Sequence, residues 1–407
     1  MYAFAKRAAV AALLCGAPAM LRAQFDFTID GQPVQVHSFF SQGFAYSNDN
    51  NFLTMKTSSS SAAFTDGGVN VSMQVTDRLR IGAQVYDRDI GSLGKWHPQL
   101  DWAVADFKLE DWFGIRGGIV KTVFGLENET QDMEFLHTGI LLPQSVYPTD
   151  LRDAQIRHRG GDLYGKIPLK GLGSLEYTAY AGMRVDSRYG GYPYMLDTLG
   201  IYLNSYGGLQ VGQDVRWNTP LHGLLVGASH MGADISGTGT WASGTTILPY
   251  KEHSKRDWTN QFFGQYAIGN LRVAAEYRRY WRDQSVVNGL AEIDTDIRGW
   301  YMSGSYRISK RLELGSYYSR LVNFWWESLG SLGEMNPDQS SPDRHLYDKV
   351  VTARVDLNRH WNVKVEGHFM DGYGGLQIYP AGFYKQDNPQ GMKPKTNLLL
   401  LRTGFSF

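Results

Sequence analysis

The stretch Leu398-Leu399-Leu400-Leu401-Arg402-Thr403-Gly404-Phe405-Ser406-Phe407 decides the fold. Successive side chains of a strand point to opposite faces. Leu399, Leu401, Thr403, Phe405 and Phe407 therefore share one face, and Leu398, Leu400, Arg402, Gly404 and Ser406 share the other. The first face is oily and ends on two aromatic rings, while the second carries a charge. A water-soluble chain seldom finishes on an exposed Phe. A barrel crossing a lipid layer sets such rings at the lipid–water boundary.

The first residues agree. Lys6 and Arg7 precede the apolar run Ala8 to Leu14, and small residues continue to Ala23. This is the pattern of an export signal over residues 1–23, too short for a spanning helix. Ala23 and Ala19 are the competing cleavage points, and residues 24–407 read as one domain. Cys15, the sole cysteine, lies inside the signal, and Leu14 before it argues against lipoprotein processing. The exported chain then has no thiol for a disulfide, and a closed hydrogen-bonded sheet has to supply its stability. The carboxyl end resembles the assembly signal of bacterial outer-membrane β-barrel proteins, which implies that location.

Composition narrows the class further. Mean hydropathy is −0.34 and 43% of residues are hydrophobic, with no exported segment near the ~20 apolar residues of a spanning helix. A barrel escapes hydropathy because only alternate residues must be apolar. The 24 Tyr, 19 Phe and 11 Trp suit two aromatic girdles. Taking away Lys6, Arg7 and Arg22 leaves 37 basic against 40 acidic residues, about −3. Without a basic block, no nucleic-acid partner is implied.

Seven tight turns separate alternating runs: Asp77-Arg78, Glu110-Asp111, Lys170-Gly171, Pro220-Leu221-His222, Gly269-Asn270, Ser309-Lys310 and Asn358-Arg359-His360. Eight longer polar stretches fall between them, near 48–60, 89–98, 124–152, 185–206, 234–256, 283–293, 323–346 and 372–394. The count predicts an all-β, sixteen-stranded antiparallel transmembrane β-barrel with short periplasmic turns and long extracellular loops. Only Gln24 to Gln32 precede the first strand, which disfavours a plugged transporter.

Inward-facing sets collect Arg80, Arg116, Arg157, Arg159, Arg216, Arg272, Arg278, Arg354, Lys364 and Arg402, against Asp106, Asp214, Glu276, Glu313, Asp356 and Glu366. A water-filled lumen leaning basic favours anions. Cross-strand ion pairing that only stiffens the wall is the plainer reading for about half of them. Arg157 and Arg159, with no acid beside them in sequence, are the expected solute contacts. The connection from Gly125 to Arg152 exceeds an idle loop. Its apolar Phe135, Leu136, Ile140, Leu141, Leu142 and Val146 need a surface, and the barrel interior offers one. Folded inward, Glu127, Glu129, Asp132 and Glu134 would face Arg116, Arg157 and Arg159 across a constriction. An external cap or subunit contact is the alternative.

The run Ile115-Arg116-Gly117-Gly118-Ile119-Val120-Lys121-Thr122-Val123-Phe124-Gly125-Leu126-Glu127 resembles the strand-to-loop motif of phosphate-selective-type porins. Val36-His37-Ser38-Phe39, Gly43-Phe44 and the strand after Thr76-Asp77-Arg78 also fit, and the resemblance covers most of the exported chain. It implies sixteen strands, a homotrimer and passage of small anionic solutes, with Arg116 and Lys121 as the wall base of the constriction. Val123 stands where the family has Pro, and no continuous arginine ladder lines the lumen, so phosphate selectivity is not carried over.

Catalytic and metal signals are weak. There is no HExxH spacing. Ser229 and His230 are neighbours and point to opposite faces of a strand. Asp294 with Asp296, and Asp338 with Asp343, could meet calcium but suit solvated loops equally. The sequence therefore predicts a passive channel in the bacterial outer membrane for small hydrophilic solutes, with lipid around it, mild anion or carboxylate preference and no cofactor. A closed structural or docking barrel is the rival, and a lipid hydrolase assembled from Ser, His and Asn the remote one.

Overall fold

Period-two alternation becomes sheet throughout. The computed structural model describes residues 27–29, 31–289, 291–328, 341–374 and 382–407, so the export-signal reading of residues 1–23 lies outside it. A three-residue strand β1 (Phe27–Ile29) pairs with β2 (Gln32–Ser47). There follow β3 (Phe64–Gln74), β4 (Leu79–Ile90), β5 (Gln99–Glu110), β6 (Phe113–Lys121), β7 (Arg157–Pro168) and β8 (Ser174–Arg184). Helix α1 (Gly191–Thr198) precedes β9 (Ile201–Asn218), β10 (Leu224–Ser243), β11 (Thr246–Ile268) and β12 (Leu271–Val287). The wall ends with β13 (Ala291–Arg307), β14 (Leu312–Ser328), β15 (His345–Asn358), β16 (Trp361–Gly372) and β17 (Lys395–Ser406).

Each strand from β2 to β17 pairs antiparallel with its sequence neighbour, and β17 pairs back onto β2 from Leu398↔Ser47 to Ser406↔Phe39. The terminal residue completes the seam: Phe407 N–H donates to the Ser38 carbonyl at 2.7 Å, and Ser38 N–H returns the bond at 3.0 Å. A sixteen-strand barrel is thereby closed, with no unpaired edge left in lipid. All seven tight turns form. The outer face is the oily one, as the terminal strand implied: Leu399 and Leu401 are exposed, as are Trp361, Val363, Val365 and Phe369. Trp361 stacks on Phe405 with ring centroids 5.2 Å apart, a piece of the girdle at the short-turn rim.

Two of the eight long connections are instead strand. β10 and β11 run to the two-residue turn Gly244-Thr245, with Gly244 at φ +62°. β12 and β13 continue to a turn holding Asn288 and Gly289 at φ +52° and +68°. The β10 extension, Asp234 to Ser243, is rich in Gly, Ser and Thr and lacks the oily alternation of a lipid-facing strand. A run without a fixed apolar face reads as loop although its backbone is fully paired.

The interior is not an empty tube. Inward Leu398, Leu400, Met370, Leu346, Leu321 and Ile297 form one apolar cluster with loop residues Phe52, Leu53, Leu93, Ile140, Leu141 and Phe383. Phe52 and Phe383 meet edge-on at 5.0 Å. The connections folded into this end of the barrel thus have their own core.

Candidate functional site

Residues 122–156, between β6 and β7, leave the wall and cross the lumen. The departure is fixed by Gly125, at φ +64°, where a Cβ would collide with Gln261. Its N–H donates to Ser229 Oγ at 2.9 Å, and its carbonyl accepts from Arg216 at 2.8 Å. Glu276 on β12 is the first anchor. It accepts from Leu126 N–H, from Tyr147 and Tyr301 hydroxyls at 2.7 and 2.6 Å, and from Gln261 at 2.6 Å. A buried carboxylate held by four donors is a satisfied group and a rigid post.

The far wall holds the middle of the segment. Lys364 on β16, wholly buried, pairs with Glu134 at 2.6 Å and donates to the carbonyls of Glu134, His137 and Gly139. Two residues on, Glu366 accepts the N–H groups of Ile140 and Leu141 at 2.8 and 3.0 Å and is backed by His368, itself 2.8 Å from Asp348. Arg354 on β15 donates to the Phe135 and His137 carbonyls, Thr138 to Glu313 on β14, and Arg278 to the Val146 carbonyl. The return limb is bound by ion pairs. Arg152 pairs with Asp132 and with Asp101, at 2.6 Å to the latter; Arg88 pairs with Asp153 at 3.0 Å.

Burial would raise the Asp132 carboxyl, yet Arg152 and Lys121 beside it hold it below the usual range. Burial likewise acts against Glu134, and Lys364 and Arg402 overcome it. At Asp150 burial wins: it pushes the carboxyl up to about 6, although Tyr384 donates to it at 2.8 Å and the Arg88 charge pulls the other way. His137 is lowered by burial, against the pull of Glu127.

The expected site residues separate into three groups. Arg157, Lys364, Arg402 and Arg278 are almost wholly buried, so they act as bolts and not as open pore lining. Arg157 meets the acid Asp101 at 2.8 Å, which its sequence neighbours did not reveal, because Asp101 arrives from β5. Arg159 shares register parity with exposed Leu163 and Ile167 and so lies on the outer face. Arg116 pairs with Asp162 on β7 at 2.8 Å, not with the crossing segment. That segment's acids pair elsewhere: Glu127 with Arg272 at 2.5 Å, Glu129 with Arg216 at 3.7 Å, Asp132 with Lys121 at 3.1 Å and Glu134 with Lys364. Arg80, Arg116, Arg216 and Arg354 keep partial exposure on the inner wall.

Two cavities open on the short-turn side of the crossing segment. One, about 340 Å³, is lined by Arg116, Arg216, Lys108, Lys166, Glu129 and Glu176. The other, about 480 Å³, is lined by Lys310, Arg311, Arg354, Arg359, His360 and Asp356. A separate gap of about 40 Å³ lies between Asp132, Glu134 and Arg152 of the segment and Asp66, Arg88 and Arg402 of the wall. That gap holds only a few waters. Both signs occur on each side of it: Arg152 pairs with Asp132 within the segment, and Arg402 with Asp66 on the wall.

Ser229 points inward to Asp214 at 2.6 Å, while His230 lies on the outer face, 2.7 Å from Asn260. The outward register partners of His230 are Gln213 and Asn260, neither with a hydroxyl. Asp296 is occupied by Arg279 and Arg298. Asp338 and the side chain of Asp294 lie outside the described residues. Among the described residues no group of three or more potential metal ligands gathers.

No family model matches the chain, and no curated protein matches it. Solved structures do. An outer membrane protein OmpT of Vibrio cholerae, in its trimer form, is 12% identical with TM-score 0.53, over 92% of this chain and 99% of that one. The outer membrane channel DcaP of Acinetobacter baumannii is 11% identical with TM-score 0.53, over 95% and 100%. An anion-selective porin from Comamonas acidovorans is 12% identical with TM-score 0.54, over 92% and 100%. The fold is that of the outer-membrane porins.

Proposed function

We propose that the chain is a non-catalytic outer-membrane porin, passing small hydrophilic solutes by diffusion around the crossing segment. The observation that carries this reading is a segment stitched to the far wall of a closed barrel, with a narrow charged gap beside it and two charged vestibules on the short-turn side. No energy source or cofactor is needed for such transport. A mild anion preference is supported by Lys310, Arg311 and Arg359, which line the larger vestibule without an ion pair among the described residues. The V. cholerae neighbour's trimer form and the resemblance at residues 115–127 both favour a homotrimer. The apolar cluster around Phe52, Ile140 and Phe383 favours a second reading, a barrel whose lumen stays shut.

Planar bilayers separate the two. The porin reading expects discrete current steps, and a silent barrel at every salt concentration would establish the closed one. In a salt gradient the reversal potential should report anions, and Lys310→Glu with Arg311→Glu and Arg359→Glu should move it toward cations. An unmoved potential would remove those three from the selectivity mechanism.

A further inference from the structure

Four consecutive strands each set a cation on the lipid-facing side at one height. Arg279 lies eight residues beyond Leu271 on β12, and Arg298 nine before Arg307 on β13. Arg320 lies eight beyond Leu312 on β14, and Lys349 nine before Asn358 on β15. Register places them outward: Arg279 opposes Arg298, Arg320 opposes Trp300, and Lys349 opposes Phe369. Arg298, Arg320 and Lys349 are exposed, and Arg279 keeps 38% of its side chain accessible.

Eight residues of tilted strand climb about 20 Å from the short-turn girdle, near the far edge of an apolar band about 25 Å tall. Below the cations the outward residues are oily: Tyr277, Trp300, Met302, Leu314, Val351 and Val355. Around them the rings are interfacial. Arg279 lies over Trp281 at 5.1 Å, Arg298 over Phe324 at 4.7 Å and Arg320 over Tyr347 at 4.8 Å. Among the described side chains, one outward acid, Asp296, bridges Arg279 and Arg298, and on β16 the outward Asp371 opposes Lys395. Among the described residues Arg320 and Lys349 have no ion pair.

A net-positive belt at the hydrocarbon edge, braced by rings, is a poor surface for bare acyl chains and complementary to anionic headgroups. Guanidinium groups held beside one another match phosphate oxygens in particular. The geometry points to a site on β12–β15 for the phosphate groups of a phosphorylated glycolipid in the leaflet nearest the long connections. It rests on the membrane-spanning reading and not on whether the lumen conducts.

The test uses the full folded chain in detergent, offered a bisphosphorylated lipid A or its dephosphorylated counterpart, with bound lipid counted by native mass spectrometry. The phosphorylated form should be retained about tenfold more tightly, allowing for screening at an exposed surface. Arg298→Gln with Arg320→Gln and Lys349→Gln, which leaves Asp296 paired with Arg279, should erase the difference. Arg320→Gln and Lys349→Gln alone disturb no ion pair and should each reduce it, which covers failure of the triple variant to fold. Equal retention of both lipids, or a preference unchanged in these variants, overturns the proposal. So does a triple variant that loses its oligomer but keeps the preference, since the belt would then be a subunit contact. Current steps recorded on the same preparation report the channel separately.

Discussion

Deleting Glu127–Pro143 should raise single-channel conductance severalfold and flatten its ion selectivity. The neck of the segment is held outside the deletion, because Leu126 N–H and the Tyr147 hydroxyl both donate to Glu276. Leu126 can therefore join Gln144 without opening the wall. Removal takes away Asp132 and Glu134 from the narrow gap and Ile140 and Leu141 from the apolar cluster. Water then reaches Lys364, Glu366 and Glu313, so their charges are solvated and not stranded. Bilayer recording is the measurement, and an unchanged step size would show that the segment does not limit the current.

Lys364→Ala should be the most damaging single change. It leaves the Glu134 carboxylate buried and unpaired, a cost of about 3–5 kcal/mol, and frees three backbone carbonyls. The expected signs are a lower urea midpoint and new protease cleavage within residues 130–142. Lys364→Met combined with Glu134→Gln should recover much of the loss, since neither then buries a lone charge. The pH response follows from the same pair. Glu134 is held below its ordinary value, so its contribution is present above the unfolded-state carboxyl range and fades as pH falls through the folded one. Protease sensitivity of the segment should rise in acid, and Glu134→Gln should remove that part of the rise.

Much of this barrel was legible because lipid outside and water inside force the period of two. Leu271, Val273, Ala275 and Tyr277 face out and Glu276 and Arg278 face in, as their alternation required. The aromatic end marked the closing strand, and the length and oily residues of the third long connection marked a segment needing an interior. Partners were not legible. Alternation gives a side chain's direction, whereas the acid beside Arg157 comes from β5 and the base beside Glu134 from β16. Arg159 was misplaced because Arg157 two residues earlier turns into a buried ion network at the rim, where the simple inside–outside alternation of the wall lapses. The outward cations were missed because sequence shows no common height until registers are known.

Residues 24–407 contain no cysteine, so a designed pair is unambiguous. A Cβ at Gly315, on the inner face of β14, would lie 3.0 Å from Thr138 Cγ2. That is the spacing of a Cβ from the partner sulfur in a disulfide. Folded Thr138→Cys/Gly315→Cys should therefore cross-link on mild oxidation, giving a linked peptide that spans residues 138 and 315 and separates on reduction. Two thiols that stay free and react with a bulky maleimide in the folded barrel would mean that residues 122–156 do not thread it.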